Sequence, residues 1–306
     1  MSNKPSSDTI GEISSDITLL ILSKILEHTS PTTQILKSVD PQGDVDLVIS
    51  NEEIFVLAEV KSSPLVIYPL EVSLSRTMTE VKNGTTQPLP DHSSVTAYTA
   101  KEEINLYIAH KDSQLSLGAN SVDDWPYPAM VEFISEKDNA ALIIDAWSEI
   151  QDVYKIRGRS VEGNEPDNRK WITCGCGGRV DDSKNAPGID RTDDIKKGTY
   201  QVLKLGAYYK EKTSDEKIAV ILVSNFFPHH TNDRYLEELK DILWTKPKYE
   251  VDLKGSVHEG EMRTFKQRGV FNVYDAVLCF TGALFQNGKL EELFGSEQFL
   301  ESFLNE

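Results

Sequence analysis

Gly43-Asp44-Val45-Asp46-Leu47-Val48-Ile49-Ser50-Asn51-Glu52-Glu53-Ile54-Phe55-Val56-Leu57-Ala58-Glu59-Val60-Lys61 is the stretch that decides the fold. Val45 to Ile49 and Ile54 to Val60 read as two short strands, rich in β-branched residues. The polar residues Ser50-Asn51-Glu52-Glu53 read as the turn that joins them. Successive side chains on a strand point to opposite faces, so Glu59 and Lys61 project side by side. Asp46 opens the neighbouring strand and can reach the same point across the hairpin. A Glu and a Lys on a strand that is otherwise apolar are costly to bury unless they are paired or used.

Outward from this hairpin, Ile13, Ile17, Leu20, Ile21 and Ile25 recur at helical spacing, and Thr29-Ser30-Pro31 ends that helix. Downstream, Asp193-Asp194 reads as an N-cap region, followed by a helix near 195–212 that includes Val202, Leu203, Leu205 and Tyr209. Ile218 to Val223 reads as a strong strand. Helical spacing returns from Tyr235 to Leu243, and Ala276 to Phe280 reads as a last strand. Between these parts, prolines at 64, 69, 88, 90, 126 and 128 break the pattern. A helix is expected around Lys101 to His110, Ala140 to Trp147 fits a strand or a helix, and Val153 to Thr192 reads as long loops. The expected architecture is one elaborated α/β domain over 1–306, with a mixed central sheet flanked by helices. Its core would be ~10–63 and ~193–306, and ~65–190 a large insertion.

The 306 residues are 39% hydrophobic and 26% charged, as in a soluble globular protein. No apolar run is long enough to span a bilayer, and the N-terminus lacks a signal-peptide pattern, so the expected location is cytoplasmic with no membrane partner. Three cysteines are too few for a disulfide framework. Cys174 and Cys176 lack the spacing of a zinc site and read as free thiols beside a glycine-rich turn. The formal charge of −17 argues against a nucleic-acid grip spread over the whole surface. It is segregated, however. Residues 151–217 hold 14 Lys and Arg against 12 Asp and Glu, leaving 18 against 37 elsewhere. Arg157, Arg159, Arg169, Lys170, Arg179, Lys184 and Arg191 in that stretch are the candidate DNA-binding residues.

The acid-led strand and the Leu57-Ala58-Glu59-Val60-Lys61 strand, with 13 positions between the carboxylates, resemble the PD-(D/E)XK nuclease superfamily, most closely a type II restriction endonuclease or one subunit of one. The resemblance implies a restriction-endonuclease-like core and Mg²⁺-dependent hydrolysis of phosphodiester bonds in double-stranded DNA. Asp46 and Glu59 would hold metal and Lys61 would act beside them. It further implies an acid near the start of the first helix, for which Glu12 is the candidate as catalytic residue and metal ligand. A Gln on the helix after the core strands is also implied, and Gln201 fits. Gly43-Asp44 stands where the family has Pro-Asp, which leaves Asp44 and Asp46 as alternatives, with Asp46 preferred because it adjoins the apolar strand.

Glu80-Val81-Lys82 repeats the tripeptide but lacks an apolar left flank and an acid-led strand before it. His229-His230 reads as a surface pair. Two strand cuts imply a homodimer or a second, more basic subunit. A nuclease effector of another defence system, a Holliday-junction resolvase and a non-catalytic recognition or scaffold subunit are the alternative readings.

Overall fold

The structure is a computed structural model that describes residues 7–39, 43–62, 70–74, 79–88, 104–110, 113–120, 127–156, 188–210, 217–229, 233–244, 247–248, 266–267 and 271–294. Its centre is a mixed six-stranded sheet of β1 (Gln34–Lys37), β2 (Leu47–Ser50), β3 (Phe55–Val60), β4 (Ile218–Ser224), β5 (Ala276–Cys279) and β6 (Gly282–Phe285), which lie side by side in that order. β3, β4 and β5 run parallel, while β1, β2 and β6 add antiparallel edges. Among the described residues the α-helices are α1 (Ser7–Thr29), α2 (Tyr127–Ile134), α3 (Lys137–Ile156), α4 (Thr192–Tyr209), α5 (Asp233–Leu239) and α6 (Gly288–Phe294).

The sheet is covered on both faces. On one, Val56, Ala58 and Val60 of β3 meet Ile17, Ile21 and Ile25 of α1, Ile143 and Trp147 of α3 and Leu290 of α6. On the other, Leu57, Val220 and Leu222 meet Ile195, Val202 and Leu205 of α4 and Leu236 of α5. Burial on both faces explains why β3 and β4 read as nearly continuous apolar runs rather than alternating ones. The β2–β3 turn is set by Asn51, whose Oδ1 accepts the backbone N–H groups of Glu53 and Ile54, both at 2.9 Å.

Several sequence expectations change. Ala140 to Trp147 lies within α3, and its apolar face joins the main core, so this part of the expected insertion is core. Ile104–His110 is a strand, not a helix, and pairs with Leu70–Leu74 and Ser113–Asn120. The alternation of Ile104, Leu106 and Ile108 has the period of a strand, and two neighbouring strands satisfy its backbone. Helical spacing from 235 stops at Leu239. Leu243–Trp244 instead pairs with Phe271–Asn272, with the Trp244 and Phe271 rings 4.6 Å apart. Asp193 and Asp194 fall inside the first turn of α4, with Arg191 at its cap position; acids there suit the helix dipole. No described helix is long and apolar enough to cross a membrane.

Candidate active site

Strand register brings the two carboxylates together. Leu47 stands opposite Ala58, and the Asp46 N–H donates to the Ala58 carbonyl at 3.0 Å, which continues the ladder and sets Asp46 beside Glu59. The Asp46 carboxylate accepts the Val60 N–H at 2.7 Å, which fixes its direction along the end of β3. Leu57 faces α4, so Glu59 and Lys61, at two-residue steps, face α4 as well. The Lys61 N–H donates to the Val223 carbonyl at 2.8 Å, and this holds the chain in register with β4 beyond the last paired residue. The Lys61 ammonium donates to Glu59 Oε1 and, at 3.2 Å, to the Val60 carbonyl. Lys61 reaches the surface, while Glu59 is only 3% exposed.

Helix α4 closes over this group at Gly198. A Cβ there would lie 2.7 Å from Leu222 Cδ1 and 3.4 Å from Lys61 Cγ. The missing side chain lets the helix backbone approach the site. Gln201 is one turn further along α4 on the same border of the helix, half-buried. One more turn on, Lys204 donates to both carboxylate oxygens of Asp44, at 2.7 and 2.6 Å. Asp44 is therefore engaged with α4, whereas Asp46 is turned into β3. The geometry separates the two acids that the sequence left as alternatives.

Burial is the main cause of an elevated Glu59 pKa, which is pushed up to about 7; Lys61 opposes the rise, and the neighbouring Asp46 adds to it. The fold thus favours protonated Glu59. The contribution of this residue to stability is greatest below its unfolded value of 4.5 and is lost as pH rises toward 7. Between pH 5 and 8 the unfolding free energy of the metal-free protein should fall relative to that of Glu59→Gln, by about 3 kcal/mol at most. Urea titrations across that range measure the difference. A constant difference would show that Glu59 does not titrate in the fold.

Two adjoining hard carboxylate oxygen donors, with Glu59 made costly to ionise by burial and further by Asp46, and the Val60 carbonyl alongside, suit a divalent cation such as Mg²⁺. Among the described residues no group of three or more His, Cys, Asp or Glu side chains is arranged to hold a metal. Glu12 is exposed, on a helix that packs against the opposite face of the sheet, and is not gathered with Asp46 and Glu59. Arg191 is exposed at the start of α4 and lies 3.5 Å from Asp194. Arg157, Arg159, Arg169, Lys170, Arg179 and Lys184 lie outside the described residues, as do Cys174, Cys176 and His230. Glu80 and Lys82 sit on a separate two-stranded hairpin, turned by Asn83 and Gly84 at φ 53° and 76°, with Gln87 opposite Glu80.

Residues that the sequence did not single out complete the surroundings. Ser62 Oγ donates to Asn225 Oδ1 at 3.1 Å just past Lys61. Gly188, at φ 49°, lies so close that a Cβ would be 2.7 Å from Ser224 Oγ and 3.3 Å from the Lys61 carbonyl. The polar Ser224-Asn225 pair that ends an apolar strand was the available sequence signal. The chain matches no family model, no curated protein and no solved structure.

Proposed function

We propose that this chain is a Mg²⁺-dependent DNA endonuclease with a restriction-endonuclease-like core, whose active site is Asp46, Glu59 and Lys61. The observation that carries the reading is the placement of two adjoining carboxylates and a lysine at one end of a buried parallel strand, where charge is costly without a use. Asp46 and Glu59 would hold the cation, with the Val60 carbonyl as a further oxygen donor. Bound there, Mg²⁺ supplies Lewis-acid stabilisation of charge on the scissile phosphate and the leaving oxygen. Lys61 orients the attacking water and offsets negative charge that develops on the phosphoryl oxygens. Its two acceptors, Glu59 Oε1 and the Val60 carbonyl, hold the ammonium in place. Gln201 lies on the site side of α4 and is assigned to positioning. Glu12 is left out of the metal set.

A cut through both strands of a duplex needs two such sites, so a homodimer or a second, more basic subunit belongs to the reading. Incubation with long duplex DNA and Mg²⁺ tests it. Discrete bands that disappear in Asp46→Asn and Glu59→Gln support site-specific cleavage of the type II restriction class. Activity that survives both substitutions sinks the assignment.

Asp44 provides an internal control. Its pair with Lys204 is partly exposed, and such pairs contribute about 1 kcal/mol or less. Asp44→Asn should therefore leave cleavage within about tenfold of the parent protein and barely move the melting temperature. If Asp44→Asn is inactive and Asp46→Asn active, the ligand assignment is reversed.

A further inference from the structure

Helix α4 carries a face that neither the core nor the catalytic group uses. Ile195, Gly198, Val202, Leu205 and Gly206 are its buried positions. The opposite side presents Lys196, Lys197, Tyr200, Lys204 and Tyr208 to solvent, together with one acid, Asp193. Tyr200 is 66% exposed and Tyr208 56%. Tyr200, Lys204 and Tyr208 are four residues apart, so they line one stripe, with the two rings about 12 Å apart along the axis. The Tyr208 ring is braced edge-on by Tyr209, with centroids 4.9 Å apart. In a chain of net charge −17, Lys196 and Lys197 against the one exposed acid Asp193, with Lys204 paired to Asp44, leave this helix face locally basic.

The position of the stripe is fixed by its central member. Lys204 reaches Asp44, two residues before Asp46, and so ties the stripe to the strand end that carries the candidate site. Gly198, on the buried face of the same helix, is where a Cβ would come within 3.4 Å of Lys61 Cγ. Exposed rings interleaved with lysines fit a partner that has both planar faces and regularly spaced negative charge. Unpaired nucleotides have both; in a duplex the base faces are already stacked on each other.

We propose that the solvent face of α4, with Lys196, Lys197, Tyr200 and Tyr208, is a binding track for single-stranded nucleic acid. The bases stack on the two tyrosines and the phosphates meet the two lysines. The statement that the track delivers a strand to Asp46, Glu59 and Lys61 rests on the nuclease reading; the binding itself does not.

The test is fluorescence anisotropy with EDTA present, so that binding is read without cleavage. The probes are a labelled oligothymidylate of ~20 nucleotides and a duplex of the same length. Both probes should bind, since the nuclease reading gives the duplex contacts of its own, and only single-strand binding should depend on the two tyrosines. Tyr200→Ala and Tyr208→Ala should each weaken single-strand binding about tenfold, and Tyr200→Phe and Tyr208→Phe should keep it. Lys196→Gln and Lys197→Gln should each flatten the salt dependence by about 0.7 in the log–log slope. A loss of duplex affinity in the alanine variants as large as the loss for the single strand overturns the proposal. So does an unchanged affinity in both alanine variants, since a general polyanion surface responds to lysine loss alone. Thermal melts of the exposed-residue variants confirm that each is folded. Binding to the oligothymidylate in EDTA with no cleavage in Mg²⁺ would overturn the nuclease reading and leave the track standing; cleavage without tyrosine-dependent binding would do the reverse.

Discussion

Glu59→Gln is expected to reduce Mg²⁺-dependent cleavage by about a thousandfold or more while making the metal-free protein more stable at pH 8. The two effects have one physical source. Glu59 is 3% exposed, and burial opposes its ionised form. A neutral amide of the same shape removes that penalty, a gain of about 3 kcal/mol at most above pH 7. The same exchange removes an anionic oxygen from the cation site and the charge that strengthens the bond holding the Lys61 ammonium. Loss of transition-state charge stabilisation of about 4 kcal/mol corresponds to that thousandfold. Activity and melting temperature, measured on one preparation, check both halves. A variant that is less stable than the parent and still active would make Glu59 a structural residue. Asp46→Asn should lose activity to a similar degree without the stability gain, because its carboxylate accepts the Val60 N–H in the folded state.

The second large effect is expected away from this site, at Lys210 and Asp275. Lys210 ends α4 and is 3% exposed, and its Nζ lies 2.6 Å from Asp275 Oδ2. That oxygen also accepts the Val220 N–H at 2.7 Å, while the Asp275 N–H donates to the Val220 carbonyl at 2.9 Å. Asp275 thus ties the approach to β5 to the early part of β4, two strands that are central to the sheet. Asp275→Ala should destabilise the protein by about 3–5 kcal/mol, because it leaves a buried ammonium without its counter-charge and an N–H without its acceptor. Replacement of both partners, Lys210→Met with Asp275→Leu, should recover much of that loss, since two apolar side chains leave no charge to desolvate. Urea unfolding of the two singles and the double measures the coupling. A loss below about 1 kcal/mol in Asp275→Ala would mean that the pair is not a structural anchor. Gly198 and Gly206 place the start of α4 at Lys61 and its end at Lys210, so the pair is remote from the catalytic group. Activity per folded molecule should be unchanged.

The contrast between these two charge pairs bears on what the sequence makes legible. Glu59 and Lys61 were legible because they lie two apart on one strand, within reach of a strand that starts with an acid, all inside 19 consecutive residues. Lys210 and Asp275 are 65 positions apart, and neither has a local pattern that names the other. Ile104–His110 shows the same limit in a milder form. Its alternation was present, but pairing with Leu70–Leu74 and Ser113–Asn120 decided between strand and helix.

By itself the sequence determined the α1 helix, the β2–β3 hairpin, the α4 helix and the β4 strand, because each follows from the spacing of apolar residues and the chemistry of its ends. It also determined that Glu59 and Lys61 would share one face, since successive side chains on a strand alternate, and it left Asp44 and Asp46 as the acids that could join them. Only the tertiary structure decided that α2 and α3 belong to the core, that Glu12 lies on the far face from the carboxylates, and that Asp44 is taken by Lys204 while Asp46 adjoins Glu59. Local periodicity says which face of an element is buried but not which element covers it. The Lys204 ammonium comes from 160 residues away, and only the packing of α4 against Leu222 and Lys61, through Gly198, brings it to Asp44.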